Sequence, residues 1–476
     1  VTPARTAAAS DHATSDHTTR LGTEPVGRLL WRACTQTTAA VGVYGIYALT
    51  NAWFVGRGVG DGAMAAVNLV APLLLMLGAV STTVGAGGAS LISRALGAGD
   101  RQAAARAAGN SFTLFWACAV ATTVLGLAFL NPLLGLLGAH GELREHARPY
   151  AVVLLCGALV STGFSSLVRA EGRLGYSTLL WLVPVAVQIT LDPLLIFGFD
   201  MGVRGAALGT VGGQAVSAAM SLWFFFAQRR RPYRIGLADL VPHGPTLRSL
   251  LGVGLPSFLA GTGATLLAVL VNATLAASGS ASGSGTASTA TATGSATALA
   301  AYAVCVRLQT FVMMPQLGIS QGLQPIVGYN TGRGLTARTH RARDLALRAS
   351  LLYGLLTAAT LALLAEPLAE LFLHDADTIA TAAQALRVIA LGLSVAGIGP
   401  LVAAYSQALG RPAPAYLISV GALLLIKVPL VAALGRLGTG GVWAGLALGE
   451  AATAGLALLL LRRLRGAAAT TAPPAP

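Results

Sequence analysis

From Gly27 onward, apolar runs long enough to cross a bilayer recur along the chain, separated by short segments that carry most of the charge. A membrane-spanning helix needs ~20 residues. The pattern therefore predicts twelve helices, near residues 27–53, 62–92, 107–137, 147–168, 176–199, 203–227, 249–277, 298–327, 345–371, 384–408, 413–435 and 441–461. The second and eighth runs exceed what a span needs, which predicts tilt or extension past the bilayer. Residues 1–26 are polar and read as a disordered tail, residues 229–248 as a linker between two groups of six helices (27–228 and 249–461), and residues 462–476 as a second tail. The Ser/Gly/Ala/Thr tract at 278–297 reads as a flexible outer loop.

Composition agrees with an all-α membrane protein, since 55% of the 476 residues are hydrophobic and only 10% charged. Soluble domains carry about a quarter charged residues. The net charge of +14 raises the question of a nucleic-acid partner, and placement answers it. With the N-terminus inside, 23 of the 31 Arg and Lys residues fall in inner segments and six in outer loops; the other two, Arg307 and Lys427, lie within spans. That split follows the positive-inside rule, puts both termini in the cytoplasm of a cell with this protein in its inner membrane, and makes the lipid bilayer the partner of the basic residues. Nothing in the pattern calls for nucleic acid or for a second subunit, and a monomer is expected.

The four cysteines are scattered through apolar runs and the seven histidines lie in tails or loops, so no metal-ligand spacing is present. Gly58-Val59-Gly60-Asp61-Gly62 and Gly252-Val253-Gly254 lack a preceding strand and a Walker lysine, which argues against nucleotide use. Together with Gly85-Ala86-Gly87-Gly88-Ala89 they read as sites of close helix packing. No cofactor and no enzymatic activity are expected. The tryptophans fall largely near span ends, where interface anchoring is the default.

The chain repeats itself. A shift of 235 residues lays Ala65-Ala66 on Ala300-Ala301 and Gly97-Ala98-Gly99 on Gly332-Arg333-Gly334, and a shift of 236 lays Pro193 on Pro429 and Gly213-Gln214 on Gly449-Glu450. Six spans per copy keep both copies in one orientation, so the lobes should be related by a pseudo-two-fold axis along the membrane normal, an arrangement of secondary transporters.

The copies differ at Asp192, which falls on Val428 in the second. A charged Asp inside an apolar span costs roughly 2.5–3.5 kcal/mol on insertion scales and marks a functional site. Gln188 lies one turn earlier on the same helix face. Pro184 and Pro193 free the carbonyls of Leu180 and Ile189. Counted from the turn near Met201, Asp192 and Thr210 sit at equal depth on opposite arms, and Asn51 precedes its own outer turn by a similar distance. The four side chains form a candidate cation site. A proton is one occupant, since removal from water favours the neutral form of an acid; sodium held by the oxygens of Asp192, Asn51, Gln188 and Thr210 is the other. In the second lobe, Lys427 and Glu450 lie at matching depth and read first as a neutralised pair. Glu450, Arg307, Gln321 and Gln324, the last two sharing a face beside Pro325, are candidates for a substrate cavity.

The stretches FVGRGVGDGAMAAV (54–67), SRALGAGD (93–100), LDPLLIFGFDMGVRGAA (191–207), GVGLPSF (252–258) and QGLQPIVGYNTG (321–332) resemble the multidrug and toxic compound extrusion (MATE) family over about residues 27–461. The resemblance implies a two-lobed antiporter that exports small organic, often cationic, compounds against an inward proton or sodium gradient. The chain looks most like the DinF-type bacterial branch, whose fifth-helix acid falls on Asp192, preceding amide on Gln188 and sixth-helix hydroxyl on Thr210. That branch pairs the acid with another on the first helix, and Asn51 stands there instead. Within the same superfamily, a lipid-linked saccharide flippase is the competing reading; an intramembrane enzyme would need a paired-Asp metal motif or an intramembrane histidine, and the spans have neither.

Overall fold

The computed structural model describes residues 17–58, 61–137, 139–160, 164–228, 231–278 and 288–469. Twelve helical segments follow in the expected order, and no strand occurs among the described residues. The first six are α1 (Val26–Gly58), α2 (Asp61–Ala98), α3 (Arg101–Ala128), α4 (Glu142–Gly157), α5 (Leu174–Gly198) and α6 (Gly202–Ala227). The second six are α7 (Gly244–Ser278), α8 (Ser288–Gly332), α9 (Thr336–Leu363), α10 (Ala376–Ala408), α11 (Ala413–Leu437) and α12 (Thr439–Ala469). Among the described residues, ten helical stretches are long and apolar enough to cross a membrane. The fourth span is split: α4 stops at Gly157 and a short helix, Ser165–Ala170, completes it.

Two expectations for polar segments change. Residues 17–23 of the supposed tail form a helix whose Leu21 is 1% exposed, while residues 1–16 lie outside the described residues. Residues 288–297 of the supposed loop are the first turns of α8, and 279–287 lie outside the described residues. In both cases small or polar residues adopt helix because a neighbouring element or a continuing helix carries them, which composition alone does not report.

The chain divides into two units, residues 1–258 with 324–339 and 408–410, and residues 259–323, 340–407 and 411–476. The division cuts α7, α8, α9 and α10 and leaves the linker at 229–248 within the first unit. Glycines explain why the first turns of α7 and the last of α8 go with the first unit. A Cβ on Gly87 would overlap the Leu250 carbonyl, one on Gly254 that of Thr83, one on Gly97 that of Tyr329 and one on Gly332 that of Arg94. Backbones meet where side chains are absent, as expected where helices associate without a hydrophobic drive. Each unit has its own apolar core. In the first it includes Val55, Val70, Leu134, Tyr150, Leu154, Ile196 and Val203. In the second it includes Leu275, Tyr302, Leu386, Ile389 and Trp443. Trp443, 1% exposed and stacked on Tyr302, is a core residue and not an interface anchor.

The linker is docked as well. Asn110 on α3 donates to the carbonyls of Asp239 (3.0 Å) and Val241 (3.3 Å) and accepts from the His243 amide at 2.8 Å. Glu171, in the turn before α5, forms a fully buried ion pair with Arg231, whose guanidinium also lies over the rings of Phe224, Phe225 and Tyr233. Removing one partner of such a pair strands a buried charge at a cost of about 3–5 kcal/mol, whereas replacing both by apolar residues is often neutral. Glu171→Gln should lower the thermal unfolding midpoint of the purified protein strongly, and adding Arg231→Met should restore much of the loss; equal midpoints for wild type and the single variant would contradict this account.

Candidate functional site

The first unit brings α1, α5 and α6 together. The α5–α6 hairpin begins from proline placement: Pro184 and Pro193 lie within the helix, and after Pro193 the chain widens into a π-turn over Leu194–Gly198. The wide turn is closed by Phe199 N donating to Leu194 O at 3.0 Å. Asp200 and Gly202, both with φ near +52°, then reverse the chain. Ile196 and Val203 anchor the turn in the core.

Glycines at every fourth position let α6 lie against α5. A Cβ on Gly205 would stand 2.9 Å from the Leu195 backbone, one on Gly213 2.7 Å from the Pro184 carbonyl, and one on Gly209 would overlap Oδ1 of Asp192. This Gly-x-x-x-Gly-x-x-x-Gly ladder was present in the sequence and is the signal that the reading of residue types alone passed over.

All four predicted site residues are buried. Asp192, 1% exposed, accepts through Oδ2 from Nδ2 of Asn51 at 3.0 Å, while its Oδ1 is buried without a hydrogen-bond partner. Gln188 donates from Nε2 to Oγ1 of Thr210 at 2.7 Å, and Thr210 donates to the Ala206 carbonyl at 3.1 Å. The site is thus two coupled pairs. Gly209 stands against Asp192, and Thr210 meets Gln188. A buried carboxylate oxygen left without a donor costs at least 1–3 kcal/mol.

Of the carbonyls that the prolines free, Leu180 O is taken by the Ser217 hydroxyl at 3.1 Å, so this one serves helix packing and not a cation. Among the described residues no three His, Cys, Asp or Glu side chains converge as a metal-binding group. Thr210 Oγ1 accepts from Gln188, and Asp192 Oδ1 is buried with no hydrogen-bond partner.

In the second unit Lys427, closing a π-turn at Leu423–Lys427, meets Oε1 of Glu450 at 2.6 Å, with both side chains 21% exposed. The pairing read from depth is present. Arg307 is exposed, and Gln321 and Gln324 are half-buried, three residues apart on the one continuous helix α8. Sequence reasoning passed over Gln316. Its Nε2 donates to Ser350 O at 2.9 Å and its Oε1 accepts from Ser350 Oγ at 2.7 Å, with Gly397 leaving room for the amide. A single amide in an apolar run gives no pattern by which to single it out.

Comparison with known proteins places the chain. The MatE family model matches residues 40–194 and 280–432. The multidrug export protein MepA of Staphylococcus aureus (strain MSSA476) is 27% identical over 430 residues, covering 88% of this chain and 90% of that protein. A protein named FAD transporter from Shewanella oneidensis is 25% identical over 416 residues, covering 86% of this chain and 88% of its own length. Among solved structures, a multidrug resistance MATE family transporter of the MOP superfamily in an outward-facing conformation aligns with a TM-score of 0.85 at 25% identity, covering 95% of this chain and 98% of that one. A MATE structure in the bent conformation aligns with a TM-score of 0.86 at 25% identity, with the same coverage. The match to the family spans most of both helical halves and the fold agrees over nearly the whole length, so the chain is a multi-pass membrane protein of the MATE family of multidrug efflux transporters.

Proposed function

We propose that this protein is a cation-coupled antiporter that exports small organic cations, with Asp192 as the coupling-ion site. The observation that carries the reading is the state of that carboxyl: buried, held by one amide, with one oxygen free of donors and, among the described residues, no ion-pair partner. A carboxylate so placed needs a cation, and an inward gradient supplies one. Occupation by the coupling ion neutralises it. Release of that ion restores a negative charge, which draws an organic cation into the pathway, and alternating exposure of the two states gives exchange.

Asn51 fits both states, since its Nδ2 donates to the carboxylate and its carbonyl oxygen can accept from the acid. Gln188 and Thr210 occupy each other and hold α5 and α6 in register beside the site. A proton on Oδ1 leaves the Asn51 bond to Oδ2 in place, whereas sodium would have to draw further oxygens to the same side, which favours the proton. The termini lie on the cytoplasmic side by the distribution of basic residues, in the inner membrane of a bacterial cell.

The test is uptake of a monovalent cationic dye by proteoliposomes under an imposed pH gradient or an imposed sodium gradient. Drive by the pH gradient alone is expected. In Asp192→Asn, dye movement should fall to that of protein-free liposomes, while thermal stability stays equal or rises because an unpaired buried charge has been removed. Gradient-driven transport persisting in this variant would sink the assignment.

A second variant probes the cradle. In Gly209→Ala the new methyl meets Asp192 Oδ1 and the carboxyl has to move, so gradient-driven transport should drop several-fold with a stability loss of about 1–3 kcal/mol. Gly175→Ala, where a Cβ on the same hairpin meets nothing within 4 Å, should leave transport unchanged.

A further inference from the structure

The helix formed by residues 17–23 crosses between two parts of the first unit that are distant in sequence, and its contacts are specific at both ends. At its start, Thr18 Oγ1 donates to the carbonyl of Glu171 at 3.0 Å in a buried setting. Gly172, with φ +83°, leaves room there, since a Cβ would stand 2.6 Å from His17 O. At its end, the carbonyls that a helix leaves unpaired are taken by side chains from the junction of α8 and α9. Fully buried Asn330 donates to Leu21 O at 2.9 Å. Arg338 donates to Glu24 O at 2.6 Å and to Leu21 O at 3.4 Å, and its Nε donates to Asn330 Oδ1 at 3.1 Å. Between the ends Leu21 is sealed from solvent, and Gly22 lets the Tyr329 ring approach to within 2.9 Å of where a Cβ would stand.

The Glu171 turn is itself fixed from a second direction, because its carboxylate holds Arg231 of the linker. Two segments that the sequence presents as loose ends, the N-terminal stretch and the linker, thus converge on one residue. The far anchor, residues 324–339, is the portion of α8 and α9 that belongs to the first unit while the rest of both helices belongs to the second.

We propose that residues 17–24 form a latch that fastens the α8–α9 junction to the turn before α5, and that this face of the transporter opens only when the latch lets go. The proposal rests on the transport reading above. Its strength suits a reversible device: two of the bonds at the α8–α9 end are made by one part-buried arginine, so that losing Arg338 should raise the undocked fraction on the order of tenfold. The anchor at Glu171, by contrast, is backed by a buried ion pair and should stay in place.

The experiment follows the accessibility of Leu21. In full-length protein with Cys34, Cys118, Cys156 and Cys305 replaced by alanine, Leu21→Cys and, separately, exposed Thr23→Cys are reconstituted with the N-terminal face outward and treated with a membrane-impermeant maleimide. At rest the cysteine at position 21 should label at least about tenfold more slowly than that at 23. Its labelling should accelerate several-fold during gradient-driven movement of the cationic dye, and also at rest when Arg338→Met is added, whereas position 23 should label at one rate throughout. Position 21 labelling at the same rate at rest and during transport would overturn the latch and leave the coupling proposal intact. Failure of the unmodified protein to move dye under any gradient would instead strike the coupling proposal, on which the latch depends. Should Leu21→Cys itself loosen the helix, protection of the 17–24 backbone amides from hydrogen exchange in the otherwise unchanged chain gives the same comparison, with loss of protection during transport expected and constant protection overturning the latch.

Discussion

A carboxylate shut away from water without a counter-charge is the constraint to which the rest of the first unit is fitted. The chain contains the other solution to the same problem twice: Glu171 is held by Arg231, and Glu450 by Lys427. In both, the charge is cancelled where it stands, and nothing need move for the fold to be satisfied. Asp192 has an amide where those acids have a cation, and one oxygen with no donor at all. Burial without a counter-charge costs stability, and the coupling role proposed for Asp192 would turn that same cost to use.

Glycine makes the rest of the arrangement reachable. Lipid chains are as apolar as leucine, so transmembrane helices gain by approaching closely more than by hiding apolar surface. The ladder of Gly205, Gly209 and Gly213 brings α6 close enough that the backbone itself forms the wall beside Asp192. The glycines of α2, α7 and α8 do the same work at the other end of the unit, where carbonyls fill the space that side chains would occupy. One principle therefore builds both the site and the packing that carries the last turns of α8 with the first half of the chain.

What the sequence made legible follows from how each feature is encoded. Span number and order are written in runs of twenty or more residues and survive errors of several positions; the burial of Asp192, Asn51, Gln188 and Thr210, and the Lys427–Glu450 pair, follow from counting along helices of known rise. Pairing is finer than that count. Equal depth set Asp192 and Thr210 on opposite arms, but depth does not say which side chains touch: Gly209 stands against Asp192 and Thr210 against Gln188. Segments of small and polar residues were misjudged for a different reason. Residues 17–23 and 288–297 have no apolar period to announce a helix, and what makes the first of them ordered is its partners, Asn330 and Arg338, more than three hundred residues away. Trp443 was misplaced because position near a span end outweighed the chance of a stacking partner, which Tyr302 supplies.

The prolines of α5 show how far local chemistry goes before context takes over. Each removes a donor from the helix ladder, and on local grounds both freed carbonyls were equal candidates for binding a cation. Ser217 on α6 reaches the carbonyl of Leu180, so the first break is closed by the neighbouring helix and contributes to packing. The second break lies next to Asp192 and opens into the π-turn, where the backbone is already re-registered by Leu194 and Leu195 accepting from residues beyond the helix. The helix is thus loosened on one side of the carboxyl, over Leu194–Gly198, and held by its neighbour on the other, where the Gln188–Thr210 pair sits one turn away. Two prolines nine residues apart therefore meet different ends, because, among the described residues, only the first has a hydroxyl on α6 within reach of its freed carbonyl.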